Sequence, residues 1–536
     1  MRKKGILLLI ALAGLFSSCN DAIDITQPGE ISNPYEVFRN ADDIKRGISG
    51  IYISLPGESE IGFTSIFTDE VAIGRDNGGQ GLISGEYGFF MQPGTSFANS
   101  TWASYYSVIN RVNRLINITD KLYSEATLAA ERTKLINNKA ELLGLRAYAN
   151  LKLFAYYTPD YTNPSGLSIM KVDFVPEEGR LDEHIGRSTV AQITKFIVDD
   201  IDEALTIRPD GWVNENNNYI TDQVLNAFKV KLYAMTENYT ELIPLAQSVL
   251  SNYRFATGPE YVAMFSFNPA EPSSEIIWKL SRPLGSGGNV AENWYSSSVD
   301  VDGSFFYEMG RSLYNELDKL DPAVTGEAFG ATRVDVRYSV NLQATSEVDV
   351  DYASLPQFEY VDKDLLLIGK FEGKQGAFPA ALKNDIPIIR YADIALLLAE
   401  ARAAQGQIAM TSTDPMVILD NYSTVGNIIA NLRLNRSIPA LSFSMPVLTD
   451  ATSAWKAILD ERRVEFAFEG HRYLDMKRIG MKAGSPGFQR YAKDAIVNGT
   501  GAGLPANSYK LTLPIPNSEL NANPIIRGQQ NPGYNN

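Results

Sequence analysis

Apolar residues recur at helical spacing along most of the chain. Between residues 137 and 157 they return every three or four positions, the spacing of one buried helix face. The small residues Ala140, Gly144 and Ala147 predict that a second helix approaches this one closely, and Thr158-Pro159 predicts its end. The same periodicity predicts further helices at Ala41–Ser54, Asn99–Lys121, Val190–Leu205, Asp222–Glu237, Ile243–Ser251, Tyr391–Gln405, Ile418–Leu434 and Ala454–Glu469.

Several of these helices form adjacent pairs with short connections, which is typical of helix-hairpin repeats. The stretch from about 255 to 385 differs, because it is rich in Gly, Ser, Pro and aromatic residues and has few periodic runs. Long loops in a compact protein usually form a recognition surface. We therefore predict a mostly α-helical fold with minor β structure. Its helical scaffold covers about 30–255 and 386–480, and a loop-rich, ligand-facing region covers about 255–385.

The amino terminus has the pattern of an export signal. Three basic residues precede twelve uncharged residues, Gly5–Phe16, a run too short to remain as a membrane-spanning helix. Cys19, the only cysteine, directly follows Ser17-Ser18, as in a bacterial lipobox. We predict a signal peptide over 1–18, a lipid on Cys19 that holds the protein on a membrane, and one domain over 19–536. An ordinary signal with an incidental cysteine is the alternative.

The charge of the chain excludes one class of partner. It carries 48 basic and 63 acidic residues, a net charge of −15. Removal of Arg2, Lys3 and Lys4 with the signal leaves 45 against 63, or −18. No basic run offsets this balance, so we expect no nucleic-acid binding.

The residue inventory also argues against catalysis and against a cofactor. With Cys19 assigned to lipid no thiol remains, and the two histidines, His184 and His471, are far apart in the sequence. The glycine-rich stretches lack the ending of a phosphate-binding loop. Asp300–Gly303 begins like a calcium loop, but the twelfth position is Arg311 instead of glutamate. Paired carboxylates, as in a glycosidase, remain the one enzyme chemistry left open, and no pair is singled out.

Six segments and the lipobox together resemble the SusD/RagB family of outer-membrane lipoproteins that bind nutrients. The segments extend from near the amino terminus to the carboxyl terminus, so the resemblance covers essentially the whole chain. They are Thr101–Ile116, Ala140–Tyr157, Ile386–Gly406, Asn427–Arg436, Ile458–Gly480 ("ILDERRVEFAFEGHRYLDMKRIG") and Leu513–Tyr534.

This resemblance implies a scaffold of four tetratricopeptide-like helix pairs, a ligand site in irregular loops and no catalysis. It also implies a SusC-like, TonB-dependent β-barrel as partner, with the lipoprotein on the outer face of the outer membrane. The ligand implied is an oligosaccharide, and a peptide, as in the RagB branch, is the alternative.

The family motifs themselves are predicted to be structural. We expect the charged residues of the 454–469 helix, such as Glu461 and Glu465, to pair where helices pack, and Arg462 can reach Glu465 or Glu469 along the helix. Arg390, Asp393 and Glu400 are expected to hold neighbouring helices. We expect core positions for Trp102, Tyr105, Tyr106 and Phe466.

Two polar loops rich in aromatic residues, 68–90 and 285–300, are the candidates for ligand binding. Aromatic faces suit the apolar side of a sugar ring, and amide and charged groups suit its hydroxyls. Burial of these aromatic residues is the alternative. The candidate ligand-binding residues are Asp69, Arg75, Asp76, Asn77, Tyr87, Phe89, Trp294 and Tyr295.

Overall fold

The computed structural model describes residues 37–79, 85–175, 184–208, 216–265, 274–282, 289–295, 305–321, 333–349, 364–371, 384–437, 444–491, 494–495 and 502–534. The predicted signal peptide and Cys19 lie outside these residues. Helices dominate the described part, which confirms the mostly α-helical prediction. In chain order the helices are α1 Ala41–Ser54, α2 Glu58–Ile66, α3 Ser96–Glu125, α4 Ala129–Tyr157, α5 Val190–Ile207, α6 Asp222–Met235, α7 Tyr239–Leu250, α8 Gly258–Phe265, α9 Arg311–Asp318, α10 Val336–Asn341, α11 Tyr391–Ala404, α12 Pro415–Ile418, α13 Val425–Arg436, α14 Ala451–Glu465, α15 Arg472–Ile479 and α16 Asn517–Ala522.

Short polar side chains fix the starts of several helices. The Asn40 side chain accepts a hydrogen bond from the amide of Asp43 at the start of α1, which has the predicted bounds. Thr189 and Gln192 form a capping box at the start of α5. Asp450 makes the same arrangement with Ser453 at the start of α14. These helices begin where a side-chain oxygen satisfies a backbone amide that has no partner within the helix.

Two predicted helices are interrupted in the structure by residues with a positive φ. The segment predicted as 418–434 is broken, because Asp420 adopts a left-handed conformation (φ 56°) between α12 and α13. The helix predicted to reach Glu469 ends four residues earlier, since Phe468 (φ 61°) and Gly470 (φ 85°) turn the chain there. Each interruption needs a positive φ, which a helix cannot accommodate.

Adjacent helices pack as antiparallel pairs in the manner of tetratricopeptide repeats, α3 with α4 and α6 with α7, and α11 packs on α7, α13 and α14. The predicted close approach at Gly144 is confirmed. A Cβ atom at this position would lie 2.9 Å from side-chain carbons of Ile220 and Leu225, at the start of α6. Trp102 and Tyr105 are buried in the core, as predicted, and Tyr106 packs against it.

The described residues form three two-stranded antiparallel sheets, two of which join segments more than 100 residues apart in the sequence. They pair β1 (Val71–Ile73) with β3 (Tyr307–Met309), β2 (Ile276–Leu280) with β4 (Ile386–Arg390), and β5 (Phe488–Gln489) with β6 (Gly503–Leu504). The described part of 255–385 therefore holds short helices and strands as well as loops, and its apolar residues enter the same core as the scaffold. Among the described helices, none is both long and apolar enough to cross a membrane.

Candidate ligand-binding site

The two loops that the sequence predicts to bind ligand, 68–90 and 285–300, have described residues beside the pair of β1 and β3. Val71 of β1 is in register with Met309 of β3. Beyond the strands the Gly74 amide donates to the Phe306 carbonyl oxygen at 2.8 Å. A Cβ atom on Gly74 would lie 2.5 Å from the Phe305 carbonyl oxygen, so only glycine allows this approach. We call the region formed by β1, β3, α9 and β5 with their connections the loop face.

Among the eight candidate residues, only Arg75 and Asp76 are exposed. The Arg75 guanidinium lies over the Phe305 ring, 5.2 Å from its centroid. The Asp76 carboxylate accepts a hydrogen bond from the Phe305 amide. These two residues present polar groups to solvent at the end of β1.

Trp294 and Tyr295 are both buried, which is the alternative that the sequence left open for these two candidates. The Trp294 ring packs on Phe468, which follows α14, with centroids 5.7 Å apart. The Tyr295 hydroxyl donates to the Ile368 carbonyl oxygen, and a β-bridge joins Tyr295 to Phe305. Both rings therefore support the loop face from inside.

Tyr87, Phe89 and Asn77 are buried as well. The guanidinium of Arg490 lies 3.6 Å from the centroid of the Tyr87 ring and 4.3 Å from that of Phe89. The Asn77 amide donates to the Phe306 carbonyl oxygen at 3.1 Å. These three side chains hold the loops in place, and none offers a surface for stacking.

Asp69 is the charged centre beneath this region. It is 1% exposed, and its carboxylate accepts from Arg472 at 2.8 and 2.9 Å and from the Gln489 amide at 3.1 Å. Burial opposes ionisation, but Arg463 and Arg472 hold the pKa of Asp69 well below its usual value. Asp69 therefore joins β1 to α14, α15 and β5 and does not reach solvent.

A polar groove of about 370 Å³ opens beside Asp69, between α9 and β5. The Arg463 guanidinium lines it and donates to the Asp69 carbonyl oxygen at 2.9 Å and to the Ser312 hydroxyl at 2.8 Å. Sequence reasoning missed this groove, which is lined by Ser312, Asn315, Glu316, Asp318, Lys319, Arg463, Gln489 and Tyr491. The sequence held one signal for the groove, the adjacent residues Arg462 and Arg463. Neighbouring residues of a helix point about 100° apart, so the two arginines cannot both face the same partners.

Two carboxyl groups near β1 and β3 are buried without an ion pair within the described residues. The Glu70 carboxylate accepts from the Phe468 amide at 3.2 Å, and burial raises its pKa to about 7. Glu308 accepts from the Leu366 amide at 3.0 Å, and burial raises its pKa well above the usual value. The floor of the loop face thus contains acids that hold a proton far more readily than free carboxyl groups do.

Glu461 and Glu465 of α14 are structural, as predicted. They belong to the glutamate–arginine cluster, in which Glu465 lies 2.8 Å from both Arg390 and Arg436. Arg462 does not bond along its helix but pairs with Asp393 at 2.9 Å and with Asp475 at 2.8 Å. Glu400 pairs with Arg478. The members of the cluster are Glu275, Glu461, Glu465, Glu469, Arg337, Arg390 and Arg436.

Neither histidine is placed for catalysis. His471 is enclosed near Arg462 and Asp393, and burial lowers its pKa to about 3, so the ring is neutral and its Nδ1 accepts from Arg462. His184 lies in a distant, partly exposed segment. Within the described residues no group of three or more His, Cys, Asp or Glu side chains could hold a metal ion. The first residues of the calcium-like motif, 300–304, lie outside the described part.

Comparison with known proteins agrees with the whole-chain resemblance. Residues 342–534 match the sequence profile of the SusD family. SusD-like protein P2 of Formosa agariphila is 23% identical over 99% of this chain and 98% of its own length. The profile match and the full-length similarity together support a protein of the SusD/RagB family.

Solved SusD structures have the same fold. A SusD superfamily protein from Bacteroides vulgatus superimposes with a TM-score of 0.69 at 20% identity, covering 93% of this chain and all of the other. A protein described as a laminarin-binding SusD-like protein superimposes with a TM-score of 0.61 at 18% identity, covering 92% of this chain and all of its own. Another solved relative, from Bacteroides vulgatus, is described as a SusD-like carbohydrate-binding protein, and these descriptions agree with the prediction of a binding protein rather than an enzyme.

Proposed function

We propose that this SusD-like chain binds nutrient oligosaccharides at the cell surface and delivers them to a SusC-like, TonB-dependent transporter. The observation that carries the proposal is the full-length match to the SusD fold, which includes a solved relative described as laminarin-binding. The loop face supports it, because exposed Arg75 and Asp76 and the amide, hydroxyl and charged groups of the groove are suited to sugar hydroxyls.

Surface attachment is part of the same proposal. Cys19 would carry lipid, and the segment between it and Val37 would tether the folded domain to the outer face of the outer membrane. Cys19→Ala should abolish labelling by an alkyne-tagged palmitate analogue and release soluble protein. If the variant retained the palmitate label, the lipid anchor on Cys19 would be contradicted. The proposal that the protein binds oligosaccharides would not be affected.

The ligand proposal is tested with the purified lipoprotein in mild detergent. A glycan array that includes laminarin, xylan, mannan, polygalacturonate and alginate is compared with an array of extended peptides. We expect glycan signals, confirmed by calorimetry, and no release of reducing ends from the bound glycan. Binding to peptides alone would replace this proposal with the RagB-like alternative. Co-purification with a TonB-dependent barrel from outer membranes tests the delivery step.

A further inference from the structure

One terminal nitrogen of the Arg463 guanidinium has no hydrogen-bond partner among the described residues. The Nη2 nitrogen is occupied by the Asp69 carbonyl oxygen and the Ser312 hydroxyl, and it lies 3.3 Å from the Asp69 carboxylate. The other, Nη1, makes no hydrogen bond to any described residue. The side chain is only 10% exposed, yet it forms part of the groove wall. The guanidinium is therefore held in place through Nη2, while Nη1 and the buried Nε have no hydrogen-bond partner among the described residues.

The charges of the groove compensate one another. Lys319 bonds Glu316 at 2.8 Å, and both lie on the groove wall. Asp318 pairs with Arg333 at 2.7 Å behind the wall, and Arg463 shares Asp69 with Arg472. The groove wall itself thus holds two acids and two bases. A ligand with a net charge would meet an opposite charge that is already paired, so the groove favours a neutral ligand.

The groove offers both kinds of hydrogen-bonding partner. Arg463 is a donor only, the Glu316 carboxylate is an acceptor only, and the exposed Gln489 amide is both. A sugar hydroxyl is likewise both a donor and an acceptor, so neighbouring hydroxyl groups can form hydrogen bonds with Arg463, Glu316 and Gln489. Tyr491 adds an aromatic side chain to the same wall.

We propose that this groove is a subsite for a neutral sugar unit, in which Arg463 Nη1 donates to one hydroxyl of a vicinal pair and Glu316 accepts from the other. The inference rests on the proposed glycan-binding function and deepens it by naming the ligand class and the residues that select it. Arg463 is a specificity residue here, because Asp69 and Ser312 fix its orientation before the ligand arrives.

The test uses the neutral glycan with the strongest signal on the array described above. Calorimetry with this glycan compares wild type with two variants. Arg463→Lys keeps the positive charge but has a single nitrogen in place of the planar guanidinium. Gln489→Ala changes an exposed residue of the groove wall. Arg46→Lys and Gln247→Ala, both exposed and outside the groove, are the matched controls. We expect about tenfold weaker binding for Arg463→Lys, about fivefold for Gln489→Ala and no change for the controls.

Ionic strength provides the second readout. A neutral ligand should bind with nearly the same Kd in 50 mM and 500 mM NaCl, because salt screens only interactions between charges. Array binding restricted to acidic glycans, or a Kd that rises steeply with salt, would overturn the neutral class and leave the proposed function standing. Wild-type affinity in both groove variants would overturn the subsite alone. An array without any glycan signal would remove the proposed function, and this inference with it.

Discussion

The scaffold and the loop face bury carboxylates in opposite ways. In the glutamate–arginine cluster, burial opposes the charge of Glu465, but Arg436 and Arg390 at 2.8 Å hold its pKa well below the usual value. Beside β1, Glu70 is buried just as deeply, and a backbone amide is its hydrogen-bond donor among the described residues, so burial raises its pKa to about 7. Ion pairs thus tie the helices together, whereas the floor of the loop face combines the ion-paired Asp69 with Glu70 and Glu308, which have no ion pair among the described residues.

The buried carboxylates of the two regions therefore contribute to the free energy of unfolding in different ways. Removing one partner of a buried ion pair is costly, because the remaining charge is then buried with neither a partner nor water around it. A protonated acid that accepts one backbone bond is sensitive to pH instead. We infer that the stability contributed by the scaffold carboxylates is lost as the pH falls, whereas the stability contributed by Glu70 is lost as the pH rises toward 7.

The largest effect is expected for Arg436→Met. The substitution removes one ion-pair partner of Glu275 (2.9 Å) and one of Glu465 (2.8 Å), and both carboxylates are fully buried. The free energy of unfolding should fall by about 3–5 kcal/mol in urea denaturation. Lys456→Met, which breaks an exposed pair with Asp460, should cost about 0.5 kcal/mol or less. Equal losses in the two variants would show that the cluster contributes no more than a surface pair.

Trp294→Ala should destabilise the protein nearly as much. The ring is fully buried against Phe468, and truncation of a core aromatic typically costs about 3–5 kcal/mol. Phe466→Ala should behave alike, since Phe466 is 1% exposed. Tyr509→Ala, at an aromatic that is 45% exposed, is the control and should melt close to wild type. A normal melting temperature for Trp294→Ala together with lost glycan binding would restore Trp294 as a ligand residue.

The sequence predicted the scaffold better than the site. The 3.6-residue period locates α1 and α4 because their buried faces are continuous, and the small residue Gly144 signals a close neighbour. The loop positions carry no such period. Trp294 has the composition of a recognition loop, yet it is buried by contact with Phe468, a residue 174 positions away. Such a contact depends on the tertiary fold and leaves no local signal.

Glu70→Gln is a smaller change that tests the pH dependence of the loop face. A carboxyl group whose folded pKa is about 7, against 4.5 in the unfolded chain, binds its proton more tightly when folded. The stability it contributes is complete below pH 4.5 and is lost as the pH rises to about 7, by about 3 kcal/mol. The difference in unfolding free energy between wild type and Glu70→Gln should therefore fall over this range.

Glu461→Gln is the matched control for Glu70→Gln, because Arg433 and Arg337 lower the pKa of Glu461 against the effect of its burial. A lowered carboxyl pKa contributes stability above the unfolded pKa, and this stability is lost as the pH falls. The difference between wild type and Glu461→Gln should therefore decrease toward acid. The same slope in both variants would mean that the two regions do not differ as described.

The smallest effect on stability is expected for Arg75→Ala. Its guanidinium is exposed, lies over Phe305 and is 3.9 Å from Asp76, so the loss should stay below about 1 kcal/mol. Its effect on ligand binding separates the two ends of β1. If the ligand extends from the groove along the strand, Arg75→Ala should weaken glycan binding several-fold in calorimetry, with a melting temperature like that of wild type. Unchanged affinity in Arg75→Ala, with weakened binding in Gln489→Ala, would confine the ligand to the groove end of β1.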